Sequence, residues 1–574
     1  RRVPSAWKRH ALLGWSCLLS ALILAPLLAP GYVLHLDMVF VPQQTLLPWN
    51  LGIGGGLPRS VPQDALVALV SGPLPGQILQ KVVLVATAVL AGTGAGRLAG
   101  GPRLQQMAAA SLYLWSAYLA GRLLLGHWGL LWAYALLPWA ILAARQARRT
   151  GSVWGTAFLC GAGALVPTGG LVLASAAIPI AVGPGSAARV RSRIAGVAAV
   201  LLFNAPWWFA ALRSPVSEVS DPLGLEVFGA RADGAGGVLG SVLAGGGVWN
   251  AQATLGSRTT WFAFFLALVV IVLAAMGWAA RYQRYRPETL WLTVLGLVGL
   301  GWAWISGVAG QQGWAQALVS GPPGGGLLRD GQKWTVFWVL LVAVTAPTGL
   351  AWLSRRAEES LRTFLAVALA LLPLAALPDL AWGAFGRLQP VAYPSAWQDL
   401  RATVAGRERD GDVVSLPWAA FRRYDWNRSQ VVLDPLPRQL TRTVVWNDRL
   451  PVTVEGRIVE VGGDDPRARV VGEAIDSGRP LAPVLADTGI RWVVVQTDQP
   501  QPGPVADLTG IPVVWEGPGL QLREIPGPVR AVNAEDRVLV FIDVLALVCL
   551  LPVGILAWRG VRRARRERPS ENTA

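Results

Sequence analysis

Between Arg9 and Arg59 the chain carries a single charged side chain, Asp37, in the run His35-Leu36-Asp37-Met38-Val39-Phe40-Val41-Pro42-Gln43-Gln44. An ionisable group at an apolar boundary is costly unless it has a partner or a wet cavity, so by default it marks a functional site. The plain alternative is a solvated loop carboxylate at an interface, which costs little. The run continues through Leu47-Pro48-Trp49-Asn50 and a glycine-rich stretch to Arg59 and Asp64. Long loops of this kind are often functional. Asp64 is the second carboxylate of the segment, and a catalytic role stands beside a supporting or helix-capping one.

Two further clusters carry chemistry. Arg122 precedes Gly126-His127-Trp128, and Arg329-Asp330-Gly331-Gln332-Lys333-Trp334 lies before a later apolar stretch. Arg122, Arg329 and Lys333 can each bind an anion such as a lipid phosphate, or snorkel to a membrane interface. His127 among tryptophans reads as an interfacial hydrogen-bonder or a ligand. Nucleotide and hydrolase signatures are absent: there is no Walker loop, no GxGxxG between strand and helix, no HExxH and no GxSxG.

The elements that position these residues are apolar. Of 574 residues 53% are hydrophobic and only 15% charged, against about 25% charged in an ordinary soluble chain. The net charge of +16 sits in short clusters between long uncharged stretches, which fits a polytopic membrane protein and not a nucleic-acid binder. A spanning helix needs about 20 mostly apolar residues. Twelve candidates fall near 11–29, 77–96, 104–125, 128–144, 152–166, 169–183, 194–212, 259–280, 288–308, 333–353, 363–378 and 537–558. The segment at 11–29 reads as an uncleaved anchor.

Basic residues orient the chain. Seven clusters, from Arg1/Arg2/Lys8/Arg9 to the six arginines between Arg559 and Arg568, hold 24 Lys and Arg on one side of the helix count. The opposite side, up to residue 378, holds eight, among them Arg59, Arg122, Arg329 and Lys333. The positive-inside rule therefore predicts both termini in the cytoplasm. The expected organisation is a membrane core over 1–378 with a long first outer loop at 30–76, a soluble extracytoplasmic domain over 379–536, and a last helix with a basic tail over 537–574. The soluble domain is nearly balanced in charge, with 17 arginines and 20 acids. Strand-like runs at 412–416, 452–461, 491–496 and 511–515 and helix-like runs at 396–405 and 465–477 predict a small α/β or α+β fold. Cys17, Cys160 and Cys549 all lie in apolar stretches and read as packing residues.

An Asp just outside helix one, a long first outer loop and a late soluble domain resemble the C-type (GT-C) membrane glycosyltransferases. More closely, the membrane core resembles the N-terminal part of the large mycobacterial D-type arabinofuranosyltransferases. The matching stretches are Leu36-Asp37 with Leu47-Pro48-Trp49-Asn50, Leu74 to Lys81, Leu136-Leu137-Pro138-Trp139, and Asn204-Ala205-Pro206-Trp207-Trp208 with Asp221-Pro222. They cover roughly residues 10–380.

The resemblance implies transfer of a sugar, arabinofuranose first and mannose as the alternative, from a polyprenyl-phosphate donor to an envelope glycan or glycolipid. It implies an inverting enzyme with Asp37 as general base. Lys333, Arg329, Arg122 and Arg59 are then the candidates for the donor phosphate, and His35, Gln43, Gln44, Trp49, Asp64 and His127 for supporting or acceptor-binding roles. Some relatives use a divalent cation, for which His35, Asp37 and Asp64 are the candidate ligands here; no cofactor is assigned. Membrane lipids are the remaining partner. Two other classes compete, a lipid-linked sugar transporter and a non-catalytic assembly partner. Transporter sites lie near the midplane between internal repeats, whereas this chain places its ionisable groups at the outer rim.

Overall fold

A computed structural model describes residues 5–54, 56–214, 221–322, 324–454, 457–501, 503–532 and 535–566. Arg1, Arg2, Gly55, Pro323, Arg568 and Ala574 lie outside the described residues.

The first part is helical: α1 (Ser5–Leu24), α2 (Gln63–Ser71), α3 (Gly76–Ala99), α4 (Arg103–Leu114), α5 (Ala117–Leu125), α6 (Trp128–Thr150), α7 (Trp154–Ala162), α8 (Pro167–Val182), α9 (Val190–Arg213) and α10 (Leu223–Phe228). Long helices follow at Trp261–Arg284, Arg286–Val308, Val336–Leu353, Glu359–Ala376 and Arg537–Arg566. Ten helices among the described residues are long and apolar enough to cross a membrane, α4 and α5 together forming one of them.

The two remaining candidates fold shorter than expected. The stretch 152–166 gives nine-residue α7, and 169–183 gives sixteen-residue α8. At 1.5 Å per residue these reach about 14 and 24 Å, less than the ~30 Å hydrocarbon core. Pro167 sets the break: it opens α8 at a position that needs no N–H, and Val166 before it is extended.

The strands are β1 (Tyr32–Val33), β2 (Pro390–Val391), β3 (Asp412–Leu416), β4 (Phe421–Arg423), β5 (Val431–Leu433), β6 (Val444–Val445), β7 (Leu450–Val454), β8 (Arg457–Val461), β9 (Ile490–Gln496), β10 (Val513–Gly517) and β11 (Leu520–Glu524). Five of them form a mixed sheet in the order β10-β11-β9-β3-β6, with β3 parallel to both neighbours. The continuous apolar run of β9 fits a strand buried on both faces. The expected strand at 452–461 is instead the hairpin β7–β8.

The small sheet domain does not hang free. Residues from α1 and α6 share one contiguous core with Val413, Tyr424 and Trp492 of the domain. The loop between α1 and α2 is stitched to it: β1 pairs with β2, and Arg438 of the domain holds the buried Asp64 carboxylate at 2.8 Å.

Candidate active site

The site is built where α5 stops. Ser116 caps its start by accepting the Leu119 N–H, and Gly126 ends it in a left-handed conformation (φ +82°). Arg122 therefore lies in the last turn, and His127 follows the cap. Only glycine fits at 126 for a second reason: a Cβ there would lie 2.1 Å from the Met38 backbone nitrogen. The Leu36–Met38 turn thus packs directly on the end of α5, and the Asp37 N–H donates to the Leu125 carbonyl at 3.0 Å. Gly126→Ala is expected to displace this turn and to cost at least about 1–2 kcal/mol from the backbone conformation alone. Thermal melting of the purified protein checks it, and an unchanged melting temperature would refute the tight approach.

Asp37 faces a cavity of about 2090 Å³ between the membrane core and the soluble domain. Its wall also carries Trp49, Arg59, His127, Arg329 and Lys333. A chain of contacts links them. His127 Nε2 lies 3.1 Å from Asp37 Oδ2, and Arg122 Nη1 lies 3.2 Å from His127 Nδ1. Arginine can only donate, so Nδ1 of His127 must be the acceptor. In the neutral ring the proton then sits on Nε2 and points at the Asp37 carboxylate. Burial lowers the proton affinity of His127 below that of ordinary imidazole, against the pull of Asp37. His127 thus fixes one Asp37 oxygen, and Oδ1 has no protein hydrogen bond among the described residues.

Behind His127 lies a buried ion pair. Arg122 makes a bidentate pair with Asp330, at 2.6 and 2.8 Å, and also donates to Gln332. Both side chains are almost fully buried. Burial alone would raise the Asp330 carboxyl, but Arg122 and Lys333 bring it down to about 2. Lys333 Nζ lies 3.8 Å from Asp330, and the backbone carbonyl of Lys333 accepts the Tyr118 hydroxyl at 2.9 Å. Asp330 therefore serves two cations and anchors the turn that carries Lys333 to the cavity.

Arg329, next in sequence, stacks 4.5 Å over Phe228 and forms no ion pair among the described residues. Burial, with Arg59 nearby, pulls its proton affinity down to about 9. A partly desolvated cation without a carboxylate partner is suited to an anionic ligand.

Not every sequence candidate reaches the cavity. Arg122, expected to face a donor phosphate, is completely buried, and its guanidinium is occupied by Asp330, Gln332 and His127. Asp64 is buried against Arg438 and does not line the cavity. Gln44 holds the Asp64 carbonyl and Ser71, so it braces the loop. Gln43 is exposed outside the cavity. His35 is buried off the cavity with neither ring nitrogen hydrogen-bonded among the described residues, and burial lowers its affinity for a proton to about pKa 4. Arg59 lines the cavity in an ion pair with Asp464.

Residues that sequence reasoning left without a role are Asp330 and Gln332, which bind Arg122; Trp207, Trp208 and Trp249 line the cavity. Asp330 stood beside Arg329 and Lys333 in the same run, the one signal that pointed to it. Among the described residues no group of three His, Cys, Asp or Glu is disposed to hold a metal ion.

Two solved structures share the fold, both single-particle cryo-EM structures of the arabinofuranosyltransferase AftD from Mycobacteria. One superposes with a TM-score of 0.55 at 17% identity, over 93% of this chain and 40% of that one. The other, of a mutant, gives 0.53 at 18% identity over 92% and 42%. The likeness thus extends beyond the 10–380 stretch expected from sequence and into the soluble domain, while this chain spans about 40% of the length of those proteins. No protein-family model matches the chain, and no curated protein matches its sequence. The fold is AftD-like: a polytopic helical membrane protein with a small sheet domain.

Proposed function

We propose that this chain is a membrane glycosyltransferase that moves a sugar, arabinofuranose before mannose, from a polyprenyl-phosphate donor to an envelope glycan or glycolipid. The observation that carries the reading is the joint placement of Asp37 and two cations, Lys333 and Arg329, on the wall of one cavity. A carboxylate with one oxygen held by His127 and the other unengaged is built to receive a proton from a hydroxyl. The acceptor hydroxyl attacks the anomeric carbon, its proton passes to Asp37, and the bond from that carbon to the phosphate oxygen breaks. The phosphate leaves with the electron pair, and Lys333 and Arg329 balance the charge. A single displacement of this kind inverts the anomeric centre.

The reading includes an orientation: both termini cytoplasmic, with the cavity and the domain over 379–536 outside, from the bias of basic residues. Gly503→Cys, at an exposed position where an added side chain meets nothing within 4 Å, should then react with an impermeant reagent in intact cells. Labelling only after the cytoplasmic side is opened would overturn the orientation.

The direct test is a panel of lipid-linked sugars offered to the purified protein in nanodiscs, followed by linkage analysis of the product. Sugar transfer supports the enzyme, whereas movement of the lipid-linked sugar without bond cleavage assigns a transporter instead. Within that assay Lys333→Ala is expected to raise the apparent KM for the donor by about tenfold or more, the worth of a charge-assisted hydrogen bond. An unchanged KM at normal protein yield would leave Lys333 as a structural partner of Asp330 and not a donor ligand.

A further inference from the structure

We infer that the soluble domain completes the catalytic centre by holding the backbone on which Asp37 stands, through the outer edge of β5. Strand β5 pairs with β4 on one side, in the register Phe421↔Leu433, Arg422↔Val432 and Arg423↔Val431. Its other edge is turned to the first outer loop. The Leu36 N–H donates to the Val431 carbonyl at 2.7 Å, and the Leu433 N–H donates to the Leu36 carbonyl at 2.9 Å. Together they make a parallel bridge between Leu36 and Val432. The residue before Asp37 is thus gripped by both of its backbone polar groups.

That grip bears on the site because Leu36 is in the left-handed region, at φ +46°. A leucine adopts this conformation only where its surroundings over-determine it. The turn gives it a purpose: it reverses the chain so that Asp37 meets the end of α5, while the His35 and Met38 backbones close on each other at 2.9 and 3.3 Å. Further ties from the domain flank the same segment. The Asn427 side chain donates to the Leu34 carbonyl at 3.3 Å, and the Tyr393 hydroxyl donates to the Phe40 carbonyl at 3.0 Å.

The hairpin that does the gripping is itself rigid. Arg422 on β4 pairs with Asp434 just past β5 at 3.1 Å, and both are buried. Asp434 also takes the Ser415 hydroxyl of β3 and the Gln496 amide of β9, at 2.6 and 2.9 Å. The Leu36 turn is therefore referenced to the central strands of the domain sheet, while Asp37 makes its side-chain contact with His127 of the membrane core. Arg422, Asp434 and the β5 edge act as positioning groups and lie behind the turn that carries Asp37.

The inference rests on the glycosyl-transfer reading only for its catalytic consequence, and the test separates the two. Leu433→Pro removes the N–H given to Leu36 and leaves the β4 side of the strand in place. Leu433→Ala removes the same side chain and keeps that N–H. Comparing the two in the full chain isolates the backbone bond. Amide hydrogen exchange across Leu34–Val41 should be about tenfold faster in the proline variant. Its kcat should fall about 10- to 100-fold against the alanine variant, with the donor KM unchanged and the melting temperature lowered by only a few degrees.

Equal exchange in the two variants overturns the clamp. Faster exchange with equal kcat also overturns it, since the loop would then be held without positioning the base. Faster exchange in a protein whose wild type transfers no sugar from any lipid donor leaves the clamp standing and rejects the enzyme. Should the proline variant not fold, Tyr393→Phe removes a single hydroxyl from the second tie. It should speed exchange over the same segment, and no change there counts against the proposal.

Discussion

Asp37→Asn is expected to slow sugar transfer by about 10²–10⁴, the usual cost of losing a general base. The substitution is informative because asparagine keeps the volume and retains a carbonyl for the His127 Nε2–H, now 3.1 Å from the Asp37 carboxylate. It cannot take a proton. The side chain is 41% exposed, so its change should leave folding nearly untouched. Donor binding should also survive, since a carboxylate does not pair with the donor phosphate and would repel it. Rates and donor KM measured in nanodiscs, beside a melting curve, decide the matter. A well-folded Asp37→Asn protein that transfers sugar at near wild-type rate would remove Asp37 as the base and weaken the enzyme reading itself.

The second large effect belongs to Arg122, and it falls on stability. Arg122→Met leaves Asp330 buried without its bidentate partner, which is expected to cost about 3–5 kcal/mol. The double variant Arg122→Met with Asp330→Leu should recover most of that loss, because it removes the stranded charge as well. The pH dependence follows from the depressed carboxyl. Its contribution is complete above the ordinary carboxylate value of 3.8 and is lost as pH falls through about 2, so neutral conditions show the full effect. Denaturation of the single and double variants measures both. Equal stability of Arg122→Met and wild type would show that the pair does not hold the fold, and would reopen Arg122 as a ligand-binding group.

Much of the architecture was readable in local pattern. Ten of the twelve expected spans are long apolar helices, since a run of about 20 apolar residues has one stable solution in lipid. The strands at 412–416 and 490–496 were equally plain, because β-branched residues bounded by turns leave little choice. The isolation of Asp37 in 49 residues without another charge marked it before any fold was known, and Arg329 and Lys333 stood out as cations beside an apolar stretch.

The partners of these residues were not readable. Arg122 looked like a phosphate ligand or a snorkelling side chain; its true partner lies 208 positions away. His127 stands 90 positions from Asp37, and nothing in either neighbourhood announces the pair. The grip of β5 on Leu36 left no trace at all, because backbone hydrogen bonds are available to any residue and write no side-chain signature. The sequence by itself determined the membrane class, the two central strands β3 and β9 of the domain and the identity of the lone carboxylate. Those properties follow from hydrophobic period and local charge, which neighbours in the chain settle among themselves. Only the tertiary structure decided which cations reach the cavity and what holds Asp37 in place, because packing brings buried charges and backbone edges together from hundreds of residues away.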